Sequence, residues 1–313
     1  MAGTTCVEFS GRGKHAKTAG ASMRPFKVWT SLVRRFRPDI VVHEITPQAK
    51  AREILVTGLE DLYSIHTIRT SPVDLGYPCE RPRQLSICLL RDHVVWHGKG
   101  DGEFFKIFAA RVVLPASALW SAPRDYQQSV MRDKAKAQGS YFEVGQHVPL
   151  RECLTPFGWA RHLAYKGRQS EIGAADGSYF YDVEQSPAYG SHSCFIPTLC
   201  GHGTLVNAAT EEIAGGHQWL AFMGDPVFDH QREGHPYTCV FQSLVNSGSI
   251  KDWLWKDLAG NAIHEPTLGM VLLFALCQTS RTVPPDIDRF PATTVEDGRT
   301  DGDGEDIEAQ HGV

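Results

Sequence analysis

Apolar residues settle into a helical rhythm soon after the start of the chain. Phe26, Trp29, Leu32, Val33 and Phe36 share one face of an amphipathic helix that Ser22 can cap, with Pro25 in its first turn and Pro38 beyond its end at about Arg37. The β-branched run at 40–43 follows and suits a short, buried parallel strand. A helix at 48–59 and a strand at 64–70 come next. A Gly/Pro loop then leads to apolar runs at 85–90 and 94–97. This alternation predicts an α/β sheet with crossovers. A helix is predicted over 123–138, whereas 139–200 is rich in Gly, Tyr, Ser and Pro and reads as loops and short strands. Helical spacing returns at 208–223, 249–258 and 265–278.

Composition adds little. The 313 residues are 42% hydrophobic and 21% charged, ordinary for a soluble globular chain. The longest apolar stretch, near Met270 to Leu276, is too short for a membrane span, and polar residues crowd the first twenty positions, unlike a signal peptide. Eight cysteines without CxxC pairs point to reduced thiols and an intracellular setting, the nucleus in a eukaryote and otherwise the cytoplasm. Cys194, Cys200 and His202 do not have standard zinc spacing, so no metal is expected.

Charge is more informative. Between Met1 and Arg52, ten basic residues face only Glu8, Asp39 and Glu44, which fits either a polyanionic partner or a solvated helix face. At the other end, 286–313 holds nine acidic residues against Arg289 and Arg299, and 281–313 reads as a disordered acidic tail.

Candidate chemistry lies in four segments. In TCVEFSGRGK, Cys6 sits in a polar loop with Arg12 and Lys14 nearby, where a thiolate can be stabilised. Glu44 ends the predicted strand, and the carboxyl ends of such strands collect ligands. LGYPCERPR places Arg81 and Arg83 before an apolar strand, and Gly260, Asn261 and Ala262 precede an apolar helix. Each alone reads as readily as an ordinary thiol, a solvated carboxylate, surface charges or a turn. Taken in order, they resemble the motifs of the cytosine-5 DNA methyltransferase family. Cys6, Phe9, Ser10, Gly13 and Lys14 match its nucleophile motif, with Thr5 where proline is usual. Glu44 matches its Glu-Asn-Val glutamate, with Ile45 in place of asparagine. Arg81 and Arg83 match its paired arginines, with Cys79 in place of glutamine. Gly224 and Pro226, in HQWLAFMGDPVF, match the helix ending that precedes the last motif.

The resemblance implies an α/β fold: an incomplete Rossmann-like AdoMet-dependent methyltransferase sheet with an inserted, irregular target-recognition region. The implied parts are a catalytic half at 1–97, target recognition at 98–196, a return to the methyltransferase domain at 197–280 and the tail at 281–313. It further implies Cys6 as nucleophile toward cytosine carbon 6, Glu44 as acid/base at ring nitrogen 3, and Arg81 and Arg83 as supports. Gly260, Asn261 and Ala262 would line the site of the cofactor S-adenosyl-L-methionine (AdoMet). DNA is the implied partner and the base must be flipped out to react; a tRNA substrate and a catalytically silent DNA-binding or scaffold protein are the alternatives. Only five residues precede Cys6, where the family carries its Gly-rich AdoMet loop and an acidic ribose ligand. The expectation is therefore a truncated or degenerate homologue, with a separate chain as one source of the missing half. Aromatics between 98 and 190 (Phe104, Phe105, Trp120, Tyr141, Phe142, Trp159) are expected to be core rather than stacking surfaces.

Overall fold

The computed structural model describes residues 2–3, 23–49, 55, 57–171, 178–190, 192–233 and 239–282. The predicted first helix is α1, Met23–Phe36. Phe26 and Val33, seven residues apart on one stripe, are its buried residues. The strands around it are β1 (Ala2–Gly3), β2 (Ile40–Ile45), β3 (Tyr63–Thr70) and β4 (Arg83–Leu90). They form one sheet in the order β1-β2-β4-β3. β2 runs parallel to β1, as its composition predicts, but β4 lies antiparallel to both β2 and β3. The difference lies in the β3–β4 connection. Residues 71–82 contain only a 3-10 turn at Pro72–Asp74 and no crossover helix, so the chain doubles back on itself.

Alternation along the strands gives this sheet two buried faces. On one, Val41, Ile45, Cys88 and Leu90 pack with Phe26 and Val33 of α1 and with Leu55 and Leu59, which belong to the helical turn at 55 and 57–59. On the other, Val42, Leu85, Ile87 and Leu89 meet α2 (Asp101–Phe108) and α7 (Glu265–Cys277, numbered after the helices below) through Phe104, Val271 and Phe274. The run at 94–97 forms β5 (Val94–Trp96), which pairs with β10 (Thr279–Arg281), not with a strand of the larger sheet.

After α3 (Arg124–Ala137), the middle of the chain is more regular than its composition suggests. It contains α4 (Pro156–Gly167), whose Thr155 side chain accepts a hydrogen bond from the Gly158 amide and whose Pro156 opens the first turn. A second four-stranded antiparallel sheet joins β6 (Phe180–Asp182), β7 (His192–Ser193), β8 (Leu205–Asn207) and β9 (Glu212–Ile213) in the order β7-β6-β8-β9. The boundary expected at 196/197 therefore falls inside a sheet. The hydrogen bonds of β6 to β8 and one buried cluster, from Met131 to Ile213, both cross it.

The helix expected over 208–223 also shrinks. Glu211 adopts a left-handed φ of 53° in the β8–β9 turn, and α5 begins only at Gly216, ending at Phe222. α6 spans Asp252–Asn261, and α7 follows after a short link. Among the aromatics expected in the core, Phe104 and Trp120 are buried, Phe105, Phe142 and Trp159 pack partly against core clusters, and Tyr141 stands 78% exposed. No helix among the described residues is long and apolar enough to cross a membrane.

Candidate functional site

Glu44 lies at the carboxyl end of β2, opposite Leu85 of β4 and beside Gly3 of β1. The period of two along β4 puts Arg83 on the same face as Leu85, one diagonal step from Glu44. Its Nε reaches Glu44 Oε1 at 2.5 Å, and the two side chains are only 14% and 9% exposed. Arg83 Nη1 also donates to the Pro82 carbonyl at 2.8 Å. Breaking such a sheltered pair by removing one partner costs about 3–5 kcal/mol, since the other charge stays out of water. The neighbouring His43 points to the other face, against Trp29 at 4.6 Å and Phe26 at 5.5 Å between ring centroids. Burial holds its imidazole pKa down at about 4, so it is a neutral core ring.

Arg81 has a different role from Arg83. It is buried, its amide donates to Ser71 Oγ at 3.0 Å, and its Nη2 donates to the carbonyls of Gly260 (3.0 Å) and Ala262 (2.5 Å). Ser71 is held in turn by its own amide, which donates to Asp74 Oδ2 at 2.7 Å. The two arginines predicted to support one site are thus divided between two partners. Arg83 holds the strand-end carboxylate; Arg81 ties the β3–β4 loop to the link between α6 and α7.

The same loop is fastened on another side. Glu80 N donates to Ile196 O, Ile196 N to Pro78 O, Thr198 Oγ1 to Glu80 O and Ser193 Oγ to Glu80 Oε1. Cys79, at the position of the expected glutamine, is buried and its Sγ donates to Phe222 O at 3.3 Å. Burial pushes this thiol up to about 12, which makes it an inert packing group. Sequence reasoning missed Ser71, Glu80 and His264 as members of this cluster. His264 caps α7 by accepting from Thr267 N, lies edge-on to Tyr77, and is held neutral near pKa 3 by burial and then by Arg81. The one legible signal is a His-Glu-Pro sequence ahead of an apolar run, which has the form of a helix start.

Gly260 and Asn261 close α6 and do not open α7, and Ala262 is the cap that follows. The link packs closely against the 200–201 segment on one side. A Cβ at Gly260 would lie 2.6 Å from the Gly201 amide nitrogen, the Gly260 and Ala262 carbonyls are occupied by Arg81, and the Asn261 amide bonds back to Asp257. Gly260 and Ala262 are tied into the chain through their carbonyls, whereas Asn261 is exposed. Cys6 lies outside the described residues.

The chain has the AdoMet-dependent methyltransferase fold in partial form, with small sheets. One solved structure of similar fold supports this. The chain is similar to the S. pombe Dnmt2 methyltransferase, with a TM-score of 0.52 and 13% identity over 88% of this chain and 76% of that one. It is also similar to a mutant of Spodoptera frugiperda DNMT2 (TM-score 0.43, 13% identity, 88% and 78% covered). A third is the Entamoeba histolytica methyltransferase EhMeth (0.44, 12%, 88% and 76%). No protein-family model and no curated protein matches the chain.

Proposed function

We propose that this chain performs, or descends from proteins that performed, cytosine-5 methyltransferase chemistry on nucleic acid, with DNA as the first-choice substrate. The observation that carries the reading is the Glu44–Arg83 pair at the end of β2, made by two residues singled out from sequence motifs 39 positions apart. In the proposed reaction, the Cys6 thiolate adds to carbon 6 of a flipped-out cytosine. The ring electrons move toward carbon 5, and Glu44, protonated at that stage, supplies a proton or hydrogen bond to ring nitrogen 3 as it gains electron density. Arg83 orients the carboxyl group by donating to its other oxygen. Gly3, three residues before Cys6, pairs with Glu44.

AdoMet is the methyl donor the fold implies, and Gly260, Asn261 and Ala262 are the residues proposed to line its site. The steps assigned to this chain are the cysteine addition and the stabilisation of charge at nitrogen 3. Two measurements test the reading. Incubation of the chain with radiolabelled AdoMet and either duplex DNA or tRNA should label the DNA, and Cys6→Ser should abolish the label. Label in tRNA alone would move the substrate to RNA. Titration calorimetry should detect AdoMet binding; absence of heat at high ligand concentration, together with absence of label, would leave a silent scaffold as the reading.

A further inference from the structure

We propose that the outer face of α1 is a docking surface for an acidic amphipathic helix of a partner protein. The inner stripe of α1, Phe26 and Val33, is spent on the sheet. Its outer face shows Val28 at 56%, Leu32 at 45% and Phe36 at 69% exposed, a stripe at four-residue spacing. Arg24, Pro25, Val28, Trp29 and Leu32 line a shallow groove of about 540 Å³ along it. Exposed apolar side chains scattered singly need no explanation, but a continuous stripe along one helix marks an interaction site.

Charge selects the occupant. No Asp or Glu occurs between Glu8 and Asp39, and Arg24, Lys27, Arg34, Arg35 and Arg37 lie on or just beyond the helix. Arg34 pairs with Asp61. Arg24, Lys27, Arg35 and Arg37 make no ion pair with any described residue, and Arg35 lies over the Phe36 ring at 5.5 Å. An apolar stripe with a basic flank along one edge, Arg24, Lys27 and Arg35, matches a helix that carries an apolar stripe with Glu or Asp along one edge, the helix-in-groove mode of recognition. A second copy of α1 would oppose arginine to arginine. A nucleic acid backbone would meet the cations but leave the aliphatic stripe unused. A membrane surface calls for a wider apolar face than this single row.

The test uses the full chain and a fluorescent synthetic peptide about three heptads long, with Leu at the stripe positions and Glu along one flank. Saturable binding by anisotropy is expected, weakened about tenfold or more by Leu32→Ser and by Arg35→Glu. Both substituted side chains are exposed, and circular dichroism checks that the variants keep their fold. A scrambled peptide of the same composition should bind at least about tenfold more weakly. The proposal is overturned if the scrambled peptide binds equally well, if neither variant changes affinity, or if only duplex nucleic acid or anionic vesicles bind this face. It is also overturned if the chain self-associates through α1 and Leu32→Ser disperses it.

Discussion

Glu44 and Arg83 show how far a single residue's role depends on its strand register. Either could be a solvated charge, yet the alternation of β2 and β4 turns both to one sheltered face and sets them 2.5 Å apart. Glu44→Gln should therefore lower stability by about 3–5 kcal/mol in urea unfolding, because Arg83 keeps its charge without a carboxylate. The double variant Glu44→Gln with Arg83→Met should recover part of that loss; a purely additive double variant would show that the pair does not couple.

His43 makes a pH-dependent contribution. It is neutral in the fold, with its pKa lowered from 6.5 to about 4. Its contribution is complete above about pH 6.5 and is lost as pH falls toward 4, to an extent of roughly 3 kcal/mol. His43→Phe should flatten the acid side of the stability curve, read from denaturant midpoints between pH 4 and 7. Asp225 works in the opposite sense. It is buried, with Glu265 of α7 nearby and Cys239 Sγ at 3.9 Å, and its carboxyl is raised from 3.8 to about 7 by burial first and then by Glu265. Its contribution is complete below pH 3.8 and is lost as pH rises through 7. Asp225→Asn should accordingly raise the melting temperature at pH 8 and change it little at pH 4; an equal change at both pH values would refute the assignment.

Legibility at the scale of elements follows the strength of the local pattern. The α1 stripe, the β-branched run of β2 and the apolar α7 are readable because each element's period shows within its own residues. α4 is not, because Gly158, His162 and Tyr165 are its buried residues, and they mask a hydrophobic period. Its stability rests instead on its start, so Thr155→Ala should cost about 1 kcal/mol through loss of the bond to Gly158 N. In the other misread segment, 208–223, helical spacing is real but is overridden. The hairpin between β8 and β9 takes the first residues into a sheet. α5 then begins where the Tyr126 hydroxyl accepts a hydrogen bond from His217 N at 3.0 Å. Gly224, at φ +100° and packed on Pro266, follows α5 in a conformation that an L side chain resists. Gly224→Ala should destabilise the chain, with a fall in melting temperature larger than that of Thr155→Ala.

For the whole molecule, long-range hydrogen bonds decide what the motifs do. Arg81 joins the loop at 71–82 to the link at Gly260 and Ala262, far along the chain. The 193–198 segment closes on the same loop from another side. Local pattern and composition carry the identity of the chemical groups, the succession of the strongest helices and strands, and the charge contrast between the two ends. Each of these is complete within a short window of residues, so it can be read without a fold. Three other features exist only once the chain has closed on itself: Arg83 serves Glu44 while Arg81 serves the 260–262 link, β4 is reversed, and Gly260 packs against Gly201. All three depend on which distant backbone and side-chain groups become buried together and must find partners, and no local pattern in a chain records that.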